Sequence, residues 1–265
     1  MTIPLDNLCQ SLAQLAPLKL AESWDNVGLL IGDRSQTITR VMTCLTISPT
    51  VVDEAVAENA DVIITHHPLP FQPLAKITSD NVTGVMLLRL IRAGVAIYSA
   101  HTAFDSAADG INTRWTNLFQ LTDVAALIDP QDDVPLGSGR YGKLAAPSTA
   151  AEILVQASQA VGATCPRLVG ESDHIVNKIG FACGSGGSFL PAARRRGCDL
   201  LITGEANFHS CLEAESTGIA LGLLGHYWSE RFAMEYLAAQ LSKLHPDLTI
   251  WPSHQESDPV HPLVR

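Results

Sequence analysis

Patterns that bind metal through thiolates or cross-link the chain are missing from this sequence. Its six cysteines are scattered and contain no C-x-x-C pair. A chain of 265 residues does not need disulfides to build a core. No apolar run reaches the ~18 residues of a membrane helix. The first residues lack the basic and apolar regions of a signal peptide. We therefore expect a soluble cytoplasmic protein with reduced thiols and no membrane contact.

Positive charge is also scarce. The chain has 17 Lys and Arg against 27 Asp and Glu, a net charge of −10. Affinity for duplexes comes largely from basic residues that neutralise phosphates, so general nucleic-acid binding is not expected. Apolar residues make up 46% of the chain, which excludes a disordered composition and supplies a large core. The length is sufficient for about two domains at ~150 residues each.

Short apolar runs alternate with helical patterns along the chain. Leucines at positions 5, 8, 12 and 15 recur at intervals of three and four, which predicts a helix over Leu5–Leu15. Further helices are predicted at residues 82–93, 149–161, 189–196 and 229–244. Buried strands are predicted at residues 27–32, 41–47, 62–65, 95–99, 179–183, 199–203 and 220–224. Strands and helices in this order indicate an α/β fold with a partly parallel sheet.

An internal repeat divides this pattern into two similar parts. Residues 60–65 (Ala-Asp-Val-Ile-Ile-Thr) are echoed by residues 198–203 (Cys-Asp-Leu-Leu-Ile-Thr). In each copy a second strand leads to a histidine with an acid four residues later. These pairs are His101 with Asp105 and His226 with Glu230. The repeat predicts two similar α/β halves, residues 1–128 and 129–265, with the boundary within 115–147.

The residues that follow the first repeated strand are candidates for metal binding. His66 and His67 come where a buried strand ends, which is where open α/β sheets place ligands. On a helix, the i, i+4 spacing of the two histidine–acid pairs places each pair on one face. Imidazole with carboxylate suits Zn, Fe, Mn, Co or Ni, whereas Ca and Mg prefer oxygen alone. Two ions would require one bridging carboxylate, and an open position would hold acidified water. The alternative is a set of hydrogen-bonded polar groups without metal.

Seven segments, spread over nearly the whole chain, resemble one known family. They are Glu-Ser-Trp-Asp-Asn-Val-Gly (22–28), Ile-Thr-His-His-Pro (64–68), His-Thr-Ala-Phe-Asp (101–105), Gly-Arg-Tyr-Gly (139–142), Cys-Gly-Ser-Gly (183–186), Thr-Gly-Glu-Ala-Asn-Phe-His (203–209) and Gly-His-Tyr-Trp-Ser-Glu (225–230). The chain resembles the dinuclear-metal hexameric proteins catalogued as GTP cyclohydrolase I type 2 homologues, whose eukaryotic members are called NIF-three-like. It is similar to their short form, which has no domain inserted between the halves.

The resemblance implies a dinuclear metal site in the cleft between the two halves. It implies two divalent transition-metal ions per chain, zinc or iron before manganese, cobalt or nickel. One ion would be held by His66 and Asp105, the other by His67 and His226, with Glu230 bridging.

Three further positions match family residues beside the metals. By resemblance, His101 and His209 would support the ligands or transfer protons. Asp25 and Asn26 match an acidic turn that faces the site, with a simple turn before the next strand as the alternative.

Two positions depart from the family pattern. Thr46 stands where the family usually has Asp, and Ala103 stands where it usually has Asn. These changes spare the metal ligands but put in doubt the substrate or proton roles of the lost groups. Two functions therefore stay open: a metal-dependent hydrolase acting on a small, nucleotide-like molecule, and a non-catalytic metal-handling or regulatory protein.

The assembly is also expected from resemblance, since the family forms ring-shaped homohexamers. The sequence supports it modestly. Charged residues make up 17% of the chain, against the ~25% typical of soluble domains. Apolar surface is then expected to be covered by neighbouring subunits.

Overall fold

A computed structural model describes residues 2–130 and 136–263. The helices are α1 (Leu5–Leu15), α2 (Pro49–Ala57), α3 (Val82–Arg92), α4 (His101–Ser106), α5 (Ile111–Leu118), α6 (Ala150–Val161), α7 (Leu190–Arg195), α8 (Phe208–Thr217) and α9 (His226–Leu244). The strands are β1 (Ile3–Pro4), β2 (Gly28–Ile31), β3 (Thr37–Ile38), β4 (Arg40–Cys44), β5 (Val62–Thr65), β6 (Ala96–Ser99), β7 (Thr122–Ala125), β8 (Arg140–Thr149), β9 (Arg167–Val169), β10 (Ile175–Ala182), β11 (Leu200–Thr203), β12 (Ala220–Leu223) and β13 (Thr249–Pro252).

The described residues form two compact units. The first unit joins Met1–Phe104 with Ala233–Ser257, and the second joins Asp105–Phe232 with the residues from Asp258 onwards. The predicted halves 1–128 and 129–265 are defined by the sequence repeat rather than by compactness, so that division stays a prediction. Residues 131–135, within the predicted boundary range 115–147, lie outside the described residues.

The first unit is built on a five-stranded sheet in the order β13-β4-β5-β6-β2. Strands β13, β4, β5 and β6 are parallel, and β2 is antiparallel to β6. Every residue of β5 is buried, because a parallel strand in this position has no solvated face. One core cluster joins Met42, Ile63 and Ile97 of the sheet to Val52 of α2 and Leu87 of α3.

The second unit is built on a six-stranded sheet in the order β7-β8-β10-β11-β12-β9. Strands β10, β11 and β12 are parallel, whereas β7, β8 and β9 pair antiparallel with their neighbours. Its core cluster includes Leu201 and Leu221 of the sheet together with Leu190 of α7 and Ala214 of α8.

The two units share a topology and a backbone anchor. In each, three parallel strands are flanked by an antiparallel strand that precedes them in the chain, β2 or β9. Asp61 accepts hydrogen bonds from the backbone N–H groups of Thr39 and Arg40. Asp199 accepts from Asn177 and Lys178 in the same way. The predicted α/β fold with two similar parts is confirmed.

Most predicted elements are present with shifted ends. Helix α1 has the predicted bounds, and its Leu5, Leu8 and Leu12 are buried. The elements that local sequence patterns did not predict are α2, α4, α5, α8, β1, β3, β7, β8, β9 and β13. Strand β8 overlaps the predicted boundary region, residues 115–147. It has few apolar residues, and its pairing with β7 and β10 accounts for its extended form.

Two further expectations concern the thiols and the membrane. All six cysteines are free thiols. Of the helices in the described ranges, none is long and apolar enough to cross a membrane.

Candidate metal centre

In the first unit, two neighbouring strands end side by side and position three histidines. Strands β5 and β6 are paired up to Thr65 and Ser99. His66 and His67 follow β5, and His101 begins α4 just after β6. The Ser99 hydroxyl donates to the carbonyl oxygen of His66 over 2.7 Å, which ties the two strand ends together. This is the edge of a parallel sheet at which ligands usually bind.

The three imidazoles form a compact group, here called the histidine cluster. Ring centroids are 5.1 Å apart for His66–His67, 5.1 Å for His66–His101 and 5.6 Å for His67–His101. One nitrogen from each ring lies within 4.8 Å of the others. Nitrogen donors at this separation have the chemistry and spacing of a transition-metal site.

The carboxylate of Asp25 holds His101. Its Oδ1 lies 2.7 Å from His101 Nδ1, and its Oδ2 accepts from the N–H of Thr102 over 3.1 Å. Burial alone would raise the pKa of Asp25, yet the hydrogen bonds from His101 and Thr102 hold it at about 2. Asp25 is therefore an ionised acceptor that turns the Nε2 atom of His101 towards any ligand. A simple turn before the next strand does not account for the contacts of Asp25 with His101 and Thr102.

His67 is held by a hydroxyl group. Its Nδ1 lies 2.6 Å from Thr46 Oγ1. The backbone N–H of His67 donates to the carbonyl oxygen of Leu45 over 2.8 Å, so the same turn contacts both backbone and ring. With Nδ1 engaged, Nε2 is the ring nitrogen that can serve as a metal ligand.

In the second unit the corresponding strand ends carry a different set of groups. Glu205 follows β11, and His226 begins α9 after β12. His226 Nδ1 lies 2.9 Å from Glu205 Oε1, and its Nε2 lies 3.2 Å from Glu230 Oε2. Glu205 Oε1 also accepts from the hydroxyl of Ser185 over 2.6 Å. The i, i+4 spacing of His226 and Glu230 on a helix thus brings them into contact, as predicted.

These contacts set the charge of the second group. The hydrogen bond to Glu230 is the main cause that raises the pKa of His226 to about 9, with Glu205 adding to it against the effect of burial. Hydrogen bonds from His226 and Ser185 lower the pKa of Glu205. Without metal, His226 is therefore a cation at neutral pH, and a metal ion would have to displace its proton.

A glycine makes room for this pair. Gly184 has φ +61°, and a Cβ at this position would lie 2.2 Å from Glu230 Oε1 and 3.3 Å from His226 Nε2. Its N–H donates to Ser229 Oγ, and the N–H of Gly186 donates to Thr203 Oγ1. Both amides donate to side-chain hydroxyls of the protein. The loop is therefore a tight turn in which the backbone of Gly184 approaches the Glu230 carboxylate closely.

Asp105 belongs to a separate contact group of the second unit. The Cys183 thiol donates to Asp105 Oδ1 over 3.1 Å. Burial raises the pKa of this thiol well above its ordinary value, and the charges of Asp105 and Glu230 add to the effect. Asn112 accepts from the N–H of Cys183 and donates to the carbonyl oxygen of Asp105. A neutral thiol therefore contacts the carboxylate of Asp105, and the Asn112 amide holds the backbone of Asp105.

The predicted site residues are distributed over both units. His66, His67 and His101 lie in the first unit, and Asp105, His226 and Glu230 lie in the second. His209 is exposed in the first turn of α8, with its ring centroid 6.0 Å from that of Phe208. The predicted roles of all these residues, including proton transfer by His209, stay predictions.

The sequence analysis missed four supporting contacts. They are those of Asp25 with His101, Thr46 with His67, Glu205 with His226 and Cys183 with Asp105. The repeat contained one usable signal, because Glu205 occupies the position of His67 in the second copy.

The two departures from the family pattern have different local consequences. Ala103 is fully buried in α4 and adds no polar group. Thr46 keeps a polar contact with His67 through its hydroxyl group. Only the first departure therefore replaces a polar side chain by an apolar one.

Comparison with known proteins gives one consistent result. The model of the Duf34/NIF3 (NGG1p interacting factor 3) family matches residues 3–259. The "GTP cyclohydrolase 1 type 2 homolog" of Clostridium acetobutylicum is 33% identical over 231 residues, covering 87% of this chain and 86% of the relative. The "GTP cyclohydrolase 1 type 2" of Helicobacter pylori is 32% identical, covering 83% and 84%. The crystal structure of a Bacillus cereus protein related to NIF3 superposes with a TM-score of 0.90 at 22% identity, covering 98% and 99%.

Proposed function

Because this chain belongs to the Duf34/NIF3 family, we propose that it binds two divalent transition-metal ions and uses them to hydrolyse a small molecule. Zinc and iron are the first candidates, with manganese, cobalt and nickel behind them. The donor set is compatible with such ions, because it combines imidazole nitrogens with carboxylate oxygens.

One observation supports this proposal more than any other. The proposed ligands His67 and His226 have Nδ1 engaged by a side-chain oxygen, from Thr46 and Glu205. The neighbouring His101 has Nδ1 engaged in the same way by Asp25. Metal-binding histidines almost always donate their second ring nitrogen to an oxygen in this way, which fixes the ring and its tautomer. A polar core without metal has no need for the same nitrogen to be engaged three times.

The proposed ligands are those that the family resemblance implies. His66 and Asp105 would hold one ion, His67 and His226 the other, and Glu230 would bridge. In this proposal the two units contribute jointly, and neither suffices alone. His101 lies among the ligands and would assist proton movement, with His209 as a second candidate.

The chemistry follows from the residues. A bound divalent ion supplies Lewis acidity, which polarises an electrophile and acidifies water at neutral pH. The Asp25 carboxylate holds Nδ1 of His101, so Nε2 is the atom that can accept or return a proton during hydrolysis. The relatives' names make GTP the first substrate to test.

The experiment combines metal analysis with turnover. Freshly purified protein is analysed for metal, reloaded with single metals, and assayed against GTP, phosphoesters and cyclic amides. A Glu230→Ala variant serves as the control for contaminating activity. We expect two metal ions per chain and turnover that this variant loses. Wild-type rates equal to the variant's with every metal would refute the hydrolase proposal.

A non-catalytic metal-handling or regulatory role is the second candidate. The buried Ala103 favours it, since this residue contributes nothing polar next to the proposed ligand Asp105. Cobalt-loaded protein distinguishes the two roles. Phosphate that changes the cobalt absorption indicates the open position of a catalyst, whereas an unchanged spectrum indicates a closed site.

A cytoplasmic, ring-shaped homohexamer is also proposed, on resemblance and on the low share of charged residues. Light scattering coupled to size exclusion tests the assembly. A mass of six chains supports the ring, and one chain at all concentrations refutes it.

A further inference from the structure

The C-terminal part of the first unit runs alongside β4. Strand β13 pairs in parallel with β4, so that Trp251 lies opposite Met42 and Pro252 opposite Thr43. The N–H of Ser253 then donates to the carbonyl oxygen of Thr43 over 2.7 Å. The segment therefore follows β4 to its carboxyl end, which is the end that precedes Thr46.

A buried carboxylate fixes the chain after β13. Glu54 of α2, 8% exposed, accepts from the hydroxyl of Ser253 over 2.5 Å and from the N–H groups of His254 and Gln255. Trp251 Nε1 donates to the same carboxylate over 3.3 Å. Because four donors converge on one buried acid, residues 251–255 are held in a defined path.

This path delivers Glu256 to the turn beside the histidine cluster. Glu256 Oε1 accepts from the N–H of Thr46 over 2.6 Å, and Oε2 accepts from the N–H of Leu45 over 3.0 Å. The same turn contacts His67 twice, through the Leu45 carbonyl oxygen and through Thr46 Oγ1. Glu256 thus binds the backbone of Leu45 and Thr46, and the Thr46 side chain contacts the His67 ring.

The second unit contains a matching hydroxyl contact. Leu45 O accepts from Thr65 Oγ1 and His67 N, and Gly184 O accepts from Thr203 Oγ1 and Glu205 N. These bonds make Gly184 the counterpart of Leu45, and Ser185 the counterpart of Thr46. Ser185 Oγ lies 2.6 Å from the Glu205 carboxylate, just as Thr46 Oγ1 lies 2.6 Å from His67. In both units, the second residue of this turn therefore contacts the corresponding side chain through its hydroxyl: Thr46 contacts His67, and Ser185 contacts Glu205.

We infer that Glu256 is a positioning residue for His67, and that it acts through Thr46. Its two charge-assisted hydrogen bonds fix the backbone of Leu45 and Thr46, so that the Thr46 hydroxyl meets Nδ1 of His67. With Nδ1 engaged by this hydroxyl, Nε2 is the ring nitrogen that is left to bind a metal. The importance of this arrangement for metal binding rests on the proposed function.

The test uses the full-length chain and four substitutions. Glu256→Ala removes the two hydrogen bonds to the backbone of Leu45 and Thr46. Thr46→Val removes the hydroxyl and keeps the shape of the side chain almost unchanged. Thr46→Ser restores the hydroxyl. Asp258→Asn is the matched control, because it removes a charge two residues beyond Glu256 from a carboxylate that accepts from Val260 N–H. Thermal unfolding of the metal-free variants identifies any that do not fold.

The first readout needs no metal. In ¹⁵N-histidine-labelled, metal-free protein, the nitrogen shifts of His67 report which ring nitrogen carries the proton once the ring is neutral. We expect one predominant tautomer, the same one, in wild type, Thr46→Ser and Asp258→Asn. A mixture of both tautomers is expected in Thr46→Val and Glu256→Ala.

The second readout is zinc affinity by competition with a chelator. Loss of an outer partner of a metal-binding histidine costs about 10–100-fold in affinity, and we expect this loss in Thr46→Val and Glu256→Ala. A wild-type tautomer in both variants overturns the inference, and so does a change in Glu256→Ala that Thr46→Val does not reproduce. If the wild-type protein binds none of zinc, iron, manganese, cobalt and nickel, the proposed function fails, while the tautomer readout still decides the inference.

Discussion

The two units have the same backbone plan and place different side chains on it. In both, an aspartate at the start of the repeated strand binds the backbone of the preceding strand, through Asp61 or Asp199. In both, a threonine at the end of that strand donates to the turn after the neighbouring strand: Thr65 to the carbonyl oxygen of Leu45, and Thr203 to that of Gly184. The next two residues differ completely, because the first unit has His66-His67 and the second has Gly204-Glu205.

This difference separates framework from function. The aspartate and threonine bonds are made to backbone atoms, so they specify the fold and nothing about ligands. Two residues after the threonine, the first unit has the imidazole of His67. The second unit has at this position the carboxylate of Glu205, which orients His226. One position in the repeat therefore supplies a proposed ligand in one unit and the support of a ligand in the other.

The largest expected effect comes from removing one proposed ligand from each unit. His67→Ala and His226→Ala should each reduce zinc affinity by more than the ~10–100-fold that outer partners cost. Zinc content after gel filtration and chelator competition measure this loss. If either variant kept both ions at wild-type affinity, the substituted histidine would not be a ligand and the proposed joint site would be wrong.

The next effect tests the glycine that the first unit replaces by Leu45. Gly184→Ala should destabilise the metal-free protein by about 1–3 kcal/mol from the left-handed backbone alone, and further through the clash with Glu230. Gly218→Ala is the matched control, since φ is +73° there and nothing lies within 4 Å of its Cβ. Urea unfolding compares them. Equal losses in the two variants would show that the clash with Glu230 is relieved at no cost.

A smaller effect compares the two orienting carboxylates. Glu205→Gln should weaken zinc binding by about 10–100-fold, because Glu205 holds the Nδ1 atom of the proposed ligand His226. Asp25→Asn should weaken it less, because Asp25 holds His101, which is not a proposed ligand. Asp25→Asn should also lower stability by about 2 kcal/mol, since the pKa of Asp25 falls from 3.8 to about 2 on folding. That contribution is present above pH 3.8 and is lost as the pH falls through about 2. If Asp25→Asn and the wild-type protein had the same free energy of unfolding at neutral pH, the lowered pKa of Asp25 would be contradicted.

The smallest effect concerns protonation in the second unit. Glu205→Gln should lower the pKa of His226 from about 9, but only in part, because Glu230 is the larger cause of the shift. In metal-free protein this histidine stabilises the fold fully below its ordinary pKa of 6.5, and the contribution is lost as the pH rises through about 9. NMR titration of His226 measures the shift, with Glu213→Gln on α8 as the control. An unchanged value would show that Glu205 has no influence.

Local patterns predicted those elements whose own sequence carries a strong signal. Strand β5 and helix α1 have their predicted bounds, because an apolar run and a leucine spacing carry the whole signal. Strand β13 was not predicted, since its partner β4 lies about two hundred residues away and supplies the hydrogen bonds. Helix α2 begins at Pro49 after its cap Ser48, a start signal that the sequence analysis did not use.

The sequence by itself determined the candidate donors and the framework that presents them. The histidines and acids stand beside repeated strands, and strand ends follow from apolar runs that can be seen without coordinates. Only the tertiary structure decided which oxygen engages which ring nitrogen. Asp25 reaches His101 across 76 residues, and Glu256 reaches Thr46 across 210. A hydrogen bond requires atoms within about 3 Å, and between residues so far apart in the chain only the folded structure determines that distance.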